Sequence, residues 1–192
     1  PGAADAWWEA WHRHVAQREA PRWFYDTADA DSFRRAWPAL TERWLAVADS
    51  LLEDLVHAGR FRPVRLPNGD VDWGANPTRT MSWAGFHYWS WANPLIRAHA
   101  LTGRDEFVRE FRRHLRSYFE QMDTFTPEPW EGHPTDFDPD AVRDRITFND
   151  LSAGIKMVTF AEAAMVFRRS EAWRPEDLRR ATLLMVRLAE RL

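Results

Sequence analysis

Residues 71–94 hold four of the chain's twelve tryptophans, with His87, Tyr88 and the Asn76-Pro77 and Asn93-Pro94 steps among them. Those residue types at that density suit one kind of chemistry. Flat aromatic faces stack on pyranose rings, while His, Asn and Arg bond hydroxyls and carboxylates. A buried indole also has to find a partner for its N–H, a demand that an ordinary core helix avoids. If residues 82–93 are helical, Phe86, Trp89 and Asn93 lie along one face and Trp83, His87 and Trp91 along another. One face then belongs to the core, and the other sets a histidine between indoles. Any one of these tryptophans, taken singly, is better read as filling a gap between helices. The set of Asn76, Arg79, Trp83, His87, Tyr88 and Trp89 is better read as a binding surface for sugar rings.

Other chemistries find little support. The sequence contains no glycine-rich phosphate loop, no His-Glu-x-x-His and no Gly-x-Ser-x-Gly. Zero cysteines remove disulfides, zinc–thiolate sites and thiol nucleophiles together. His12 and His14 lie two apart on a helix and face different directions. His57 and His114 are expected near helix C-terminal ends in dipole or solvent roles, and His99 as a packed or surface residue. Neither a metal nor a cofactor is expected. Asp136, Asp138 and Asp140 alternate among prolines without the glycine and closing glutamate of a calcium loop, so they read as solvated. Glu128 and Glu131 flank Trp130, but no spacing supports a glycosidase carboxylate pair.

A net charge of -3 points to no nucleic-acid partner. No apolar run of about 18 residues is present to span a membrane. Basic charge is nearly all arginine, with Lys156 the single lysine, a bias that reads as codon usage.

The elements that must position these residues are helical. At 192 residues the chain is long enough for one domain with a proper core. A first helix is expected over residues 6–19, with Trp7, Trp8, Trp11 and Val15 on one face and Pro21 as its stop. Ser32 is a candidate cap for a short helical turn. Pro38 then opens a helix whose apolar residues, Leu40, Trp44, Val47, Leu51, Leu52 and Leu55, run on to Gly59. Residues 61–73 change period around Pro67-Asn68-Gly69-Asp70, the pattern of a small two-stranded hairpin flap.

A helix over residues 82–101 follows, kinked or restarted at Pro94. A short joint at Gly103 leads into an antiparallel neighbour over residues 105–121, with Phe107, Val108, Phe111, Leu115, Tyr118 and Phe119 inward. Residues 122–146 form one long irregular segment. Asn149 or Asp150 caps the next helix, whose expected stripe is Leu151, Ile155, Val158, Ala161, Met165 and Val166. Pro175 opens the last, with Leu178, Ala181, Leu184, Met185 and Leu188 inward. The whole is an all-α array of antiparallel helical hairpins carrying one β-hairpin flap.

Two segments resemble a known family. Asp72-Trp73-x-x-Asn76-Pro77, the aromatic stretch, and then Arg97-Ala98-x-x-Leu101-Thr102-Gly103-x-Asp105-x-Phe107 resemble the N-terminal domain of the heparinase II/III-like polysaccharide lyases. Phe148-Asn149-Asp150-Leu151-Ser152-Ala153-Gly154-Ile155-Lys156 resembles that family's Trp-Arg-x-Leu-x-Ala-Gly-Ile-Arg segment. The resemblance covers residues 71–169. It departs where His87-Tyr88-Trp89 stands for Asn-Arg-His, Phe148-Asn149 for Trp-Arg, and Lys156 for the last arginine.

What the resemblance implies is part of an (α/α) toroid whose groove takes an anionic polysaccharide or oligosaccharide, with Asn149 and Lys156 added to the substrate contacts. The family cleaves uronic-acid chains, such as glycosaminoglycan or alginate, by β-elimination. An Asn or His neutralises the carboxylate, and Tyr or His groups move the protons. No Asn-His dipeptide is present here. The chain is therefore expected to be a catalytically incomplete N-terminal fragment of a periplasmic or secreted lyase, with a C-terminal β-sandwich domain in the parent chain. A non-catalytic carbohydrate-binding or helical scaffold module is the alternative.

Overall fold

The computed structural model describes residues 2–18, 30–53, 63–73, 87–122 and 150–190. These residues form seven α-helices: α1 (Ala3–Gln17), α2 (Ala30–Ala36), α3 (Pro38–Leu52), α4 (Asn93–Thr102), α5 (Asp105–Met122), α6 (Asp150–Phe167) and α7 (Pro175–Ala189). A single 3-10 turn, Ser90–Ala92, leads into α4. No strand occurs among the described residues, which are mostly helical as their periodicity implies.

Helix α4 is the hub, packing against α2, α3, α5, α6 and the 3-10 turn. Pro94 sits in its first turn, where a missing N–H costs no bond. Gly103 ends it in the left-handed conformation (φ 70°), with its N–H donating to the His99 carbonyl at 2.7 Å. The two-residue joint returns the chain at once into α5, so that α4 and α5 lie side by side. Helix α5 is sharply two-faced: Phe107, Val108, Phe111, Leu115 and Tyr118 are all fully buried.

Polar ties fix the remaining helices. Asp177, buried in the first turn of α7, accepts from the Arg174 backbone at 2.9 Å and pairs with Arg112 of α5 and Arg180. Thr159 of α6 donates to the Asn93 side chain at the start of α4. His12 of α1 donates from Nε2 to the Trp173 carbonyl at 3.0 Å, seating α1 beside α7.

Several expectations need correction. Helix α1 ends at Gln17; its Val15 is buried and its Trp11 packs on the core edge, but Trp7 is 56% exposed. Helix α2 starts at Ala30, so Ser32 is interior and accepts a bond from Arg35 rather than capping. Of the helix expected over residues 82–101, kinked or restarted at Pro94, the restart is what occurs, since α4 starts at Asn93. The difference is that the chain already leaves helical geometry at Trp89, which is left-handed (φ 63°). His114 lies midway along α5, fully buried, and not near a helix end.

The buried face of α6 is also not the expected stripe. Ala153, Lys156, Thr159, Phe160, Ala163, Ala164 and Phe167 face inward, while Val158 is 53% exposed. The helix carries apolar residues on nearly every side, so periodicity cannot choose a face.

The Asn68-Gly69 turn forms, with Gly69 at φ 85° and Leu66 and Asp70 bonded across it at 2.8 Å. Among the described residues its pairing is one antiparallel bridge, Arg65–Val71, with the Asp72 N–H also donating to the Val64 carbonyl at 2.9 Å. Gln121 of α5 donates to the Val71 carbonyl at 2.8 Å and accepts the Trp73 N–H at 2.9 Å. These backbone groups face away from residues 64–66, so the outer edge of the turn segment is tied to the helix. Residues 54–62 lie outside the described chain, as do Asp136, Asp138, Asp140, Glu128 and Glu131.

Candidate functional site

Three separated segments meet at one aromatic nest. The turn delivers Trp73, the 3-10 region delivers His87, Trp89 and Trp91, and α5 delivers Phe111, His114 and Tyr118. Trp73 and Trp89 stack with centroids 5.3 Å apart and planes within 13°. Trp91 leans on both, at 6.3 Å and 5.5 Å. Tyr118 presents its edge to Trp73 at 5.0 Å and to Trp89 at 5.2 Å, the geometry that ring quadrupoles favour. Helix α6 closes the nest, with Phe160 edge-on to Trp89 at 5.0 Å and the Lys156 ammonium 5.7 Å from the Tyr118 ring centre.

Trp89 is the only non-glycine residue with positive φ among the described residues. A bulky residue held there costs on the order of 1 kcal/mol or more, and persists because the surrounding rings fix it. The left-handed step reverses the chain between His87 and the 3-10 turn. It thereby brings His87, Trp89 and Trp91 into one cluster, where a continuous helix would have split them between two faces. Their indoles stack on each other and on Trp73 rather than facing solvent.

Polar groups are buried inside this apolar setting. Lys156, His87, Tyr118 and His114 are all shielded from water. Burial brings the Lys156 amine down to about 7, so near neutral pH it is part ammonium and part free amine. Burial, then the Lys156 charge, holds His87 well below the ordinary imidazole range, in its neutral form. Burial raises the Tyr118 phenol, keeping its O–H in place. Among the described residues neither the Tyr118 hydroxyl nor the Trp89 indole N–H has a hydrogen-bond partner, whereas the Trp73 indole N–H donates to Ser117 at 3.1 Å.

A second, satisfied network lies behind the nest. His114, edge-on to Trp91 at 5.0 Å, bonds Glu110 at 3.0 Å, and Arg113 grips the same carboxylate. Burial opposes ionisation of Glu110, but the bonds from His114 and Arg113 outweigh it and hold the carboxyl at about 2. Burial pulls His114 down and the Glu110 bond only partly restores it.

Of the residues singled out in the sequence, the structure brings His87, Trp89 and Lys156 together. Tyr88 is half-buried beside them. Asn76, Arg79, Trp83 and Asn149 lie outside the described residues. Tyr118 and His114 belong to the cluster but read in the sequence as a core position and a helix-end residue. The signal for Tyr118 was its hydroxyl at an inward position of an otherwise phenyl- and aliphatic-lined face. Chemically, the arrangement offers hydrogen-bond donors, a neutral imidazole and one amine able to gain or lose a proton. Comparison with protein-family models, curated proteins and solved structures gives no match, so the lyase resemblance is carried by the quoted residues alone.

Proposed function

We propose that the chain is the substrate-groove part of a polysaccharide lyase acting by β-elimination on a uronic-acid-containing polysaccharide, and that it is catalytically incomplete as this chain. One observation carries the proposal. The described parts of the two segments that resemble the lyases, residues 72–107 and 148–156, come together: Lys156 sits on Tyr118, its charge acts on His87, and the next turn of α6 meets Trp89 and Asn93. A charged amine, an imidazole and stacked indoles in one place suit an acidic sugar. On this reading the helical hairpins form part of an (α/α) toroid, and residues 61–73 form a flap over its groove.

The experiment is a titration with uronate oligosaccharides while tryptophan fluorescence is followed, alongside an assay for the ultraviolet absorbance of unsaturated uronate product. Binding without turnover is expected. Clear turnover would overturn the catalytic incompleteness, and no fluorescence response would overturn the groove.

A second reading, a non-catalytic helical scaffold, is favoured by the complete burial of Trp73 and Trp89. Rings already stacked on each other are satisfied without a ligand.

A further inference from the structure

Arg104, Arg112, Arg113, Arg168 and Arg180 are all shielded from water to some degree, and each has an oxygen to bond. Arg104 pairs with Asp49 and Glu106, Arg112 and Arg180 share Asp177, Arg113 grips Glu110, and Arg168 donates to backbone carbonyls. Arg97 of α4 is different. It is half-buried, and its Nε is cut off from solvent with no hydrogen-bond partner. Among the described residues no carboxylate or carbonyl bonds its guanidinium.

Arg97 is nonetheless held in place. Its Cζ lies 4.6 Å from the centre of the Trp44 ring on α3. Trp44 in turn stacks on Phe33 of α2, with centroids 5.2 Å apart and planes within 13°. Three helices thus supply one layer each (guanidinium, indole and phenyl), and α4 packs on both α2 and α3. Stacking takes up a face of the guanidinium and leaves its edge, where the N–H groups point, for bonding.

The acids on these helices do not fill that role. Helix α4 has none. Asp31 of α2 pairs with Arg34, and Asp49 of α3 pairs with Arg104. Glu42 stands two residues before Trp44 and so lies on a different face of α3. A guanidinium only donates, so its complement is an acceptor-only group. A planar carboxylate matches it with two parallel N–H···O bonds, and a cation already shielded along one edge makes stronger bonds than one fully in water.

We propose that Arg97, fixed on Trp44, receives a carboxylate of an acidic sugar at a subsite outside the aromatic nest, the sugar class resting on the groove reading above. The position suits a chain that runs on from the nest. Asn93, one turn before Arg97 on α4, accepts from Thr159 of α6, and the adjacent Phe160 meets Trp89. One turn of α4 therefore separates Arg97 from the helix that closes the nest. Arg97 binds here and moves no proton.

The test is calorimetric titration with uronate oligosaccharides from alginate, hyaluronan and pectin, with neutral cellotetraose as control. Arg97→Met keeps an unbranched stem against Trp44 and removes the donors. It is expected to weaken uronate binding by about tenfold or more, the loss of a charge-assisted pair. Arg97→Lys is expected to recover only part of that affinity, because an ammonium is a point charge without the fork. Stability in the absence of sugar is the second readout. No bonded acceptor is lost in Arg97→Met, so its thermal midpoint should stay within about 3 °C of wild type. An arginine serving the fold alone would show the reverse, a lowered midpoint with affinity unchanged.

A uronate bound equally by wild type and Arg97→Met would overturn this proposal and leave the groove standing. Full recovery by Arg97→Lys would also overturn it, since charge alone would then suffice. Cellotetraose binding as tightly as the uronates would overturn the carboxylate assignment, and failure of every uronate to bind would overturn both this proposal and the groove. Circular dichroism of each variant confirms that the fold is intact.

Discussion

On α1, Trp7 and Trp11 stack with centroids 5.9 Å apart and planes within 10°, and His14 continues the stack from Trp11 at 5.6 Å. In the nest, Trp73 and Trp89 stack at 5.3 Å, with His87 and His114 set edge-on at 6.3 Å and 6.2 Å from Trp73. The ring types are the same and the stacking distances nearly so. The α1 strip, however, comes from one helix at three- and four-residue spacing, and its leading indole and its histidine face water. The nest is assembled from segments dozens of residues apart, and it encloses an amine, a phenol and a strained backbone step. Density of tryptophan therefore does not mark a site in this chain. What marks it is the polar chemistry buried along with the rings.

Truncation tests that contrast first and most severely. Trp89→Ala empties a filled core position and keeps the left-handed strain, so urea unfolding should show a loss of about 3–5 kcal/mol. Equal losses from Trp89→Ala and Trp7→Ala would erase the distinction between the two clusters.

Lys156→Met comes next, and its sign depends on pH. The folded amine titrates near 7 against an ordinary 10.5. Between those values the unfolded chain binds more protons, so wild-type stability climbs with pH across that window and is lowest below about 7. The variant removes the penalty. Its expected gain is on the order of 4 kcal/mol near pH 6, shrinking as pH approaches 10, as read from urea midpoints across pH. A gain that does not vary with pH would mean that the folded amine titrates normally.

Glu110→Gln should flatten the acid limb of stability. Glu110 is held at about 2, so its contribution is present above about 4.5 and is lost as pH falls through 2. An unchanged acid midpoint in the variant would show that the network behind the nest is not ionic. Tyr118→Phe is expected to change stability by less than about 1 kcal/mol, because the hydroxyl it deletes has no partner among the described residues. Trp7→Ala closes the series with a change within about 0.5 kcal/mol.

The legible parts of the sequence were those where one signal dominated. Helix α5 alternates charge and apolar residues so strongly that its buried face could be named, and the inward residues of α7 and the Gly103 stop also agree with their pattern. Helix α6 was legible as a helix but not as an oriented one, since apolar residues surround it. The hairpin reading found the turn; nothing local announces that Gln121, about 50 residues away in the chain, ties the outer edge of residues 71–73 to α5.

The site shows the same division. His87, Trp89 and Lys156 were visible as residues of interest, two from their surroundings and one from a resemblance. Their convergence was not, because it depends on a left-handed tryptophan that no propensity favours. Tyr118 was hidden by good amphipathic company.

The Gln121 amide has one further consequence. It holds the Val71 carbonyl, the Trp73 N–H and the Ser117 hydroxyl at once, and that hydroxyl also takes the Trp73 indole. Four bonds share two side chains near the end of α5, so they form or break together. In hydrogen-exchange terms the Trp73 amide belongs to the opening unit of the last turns of α5 rather than to its own turn. Fraying of that helix end releases the floor of the nest in the same event.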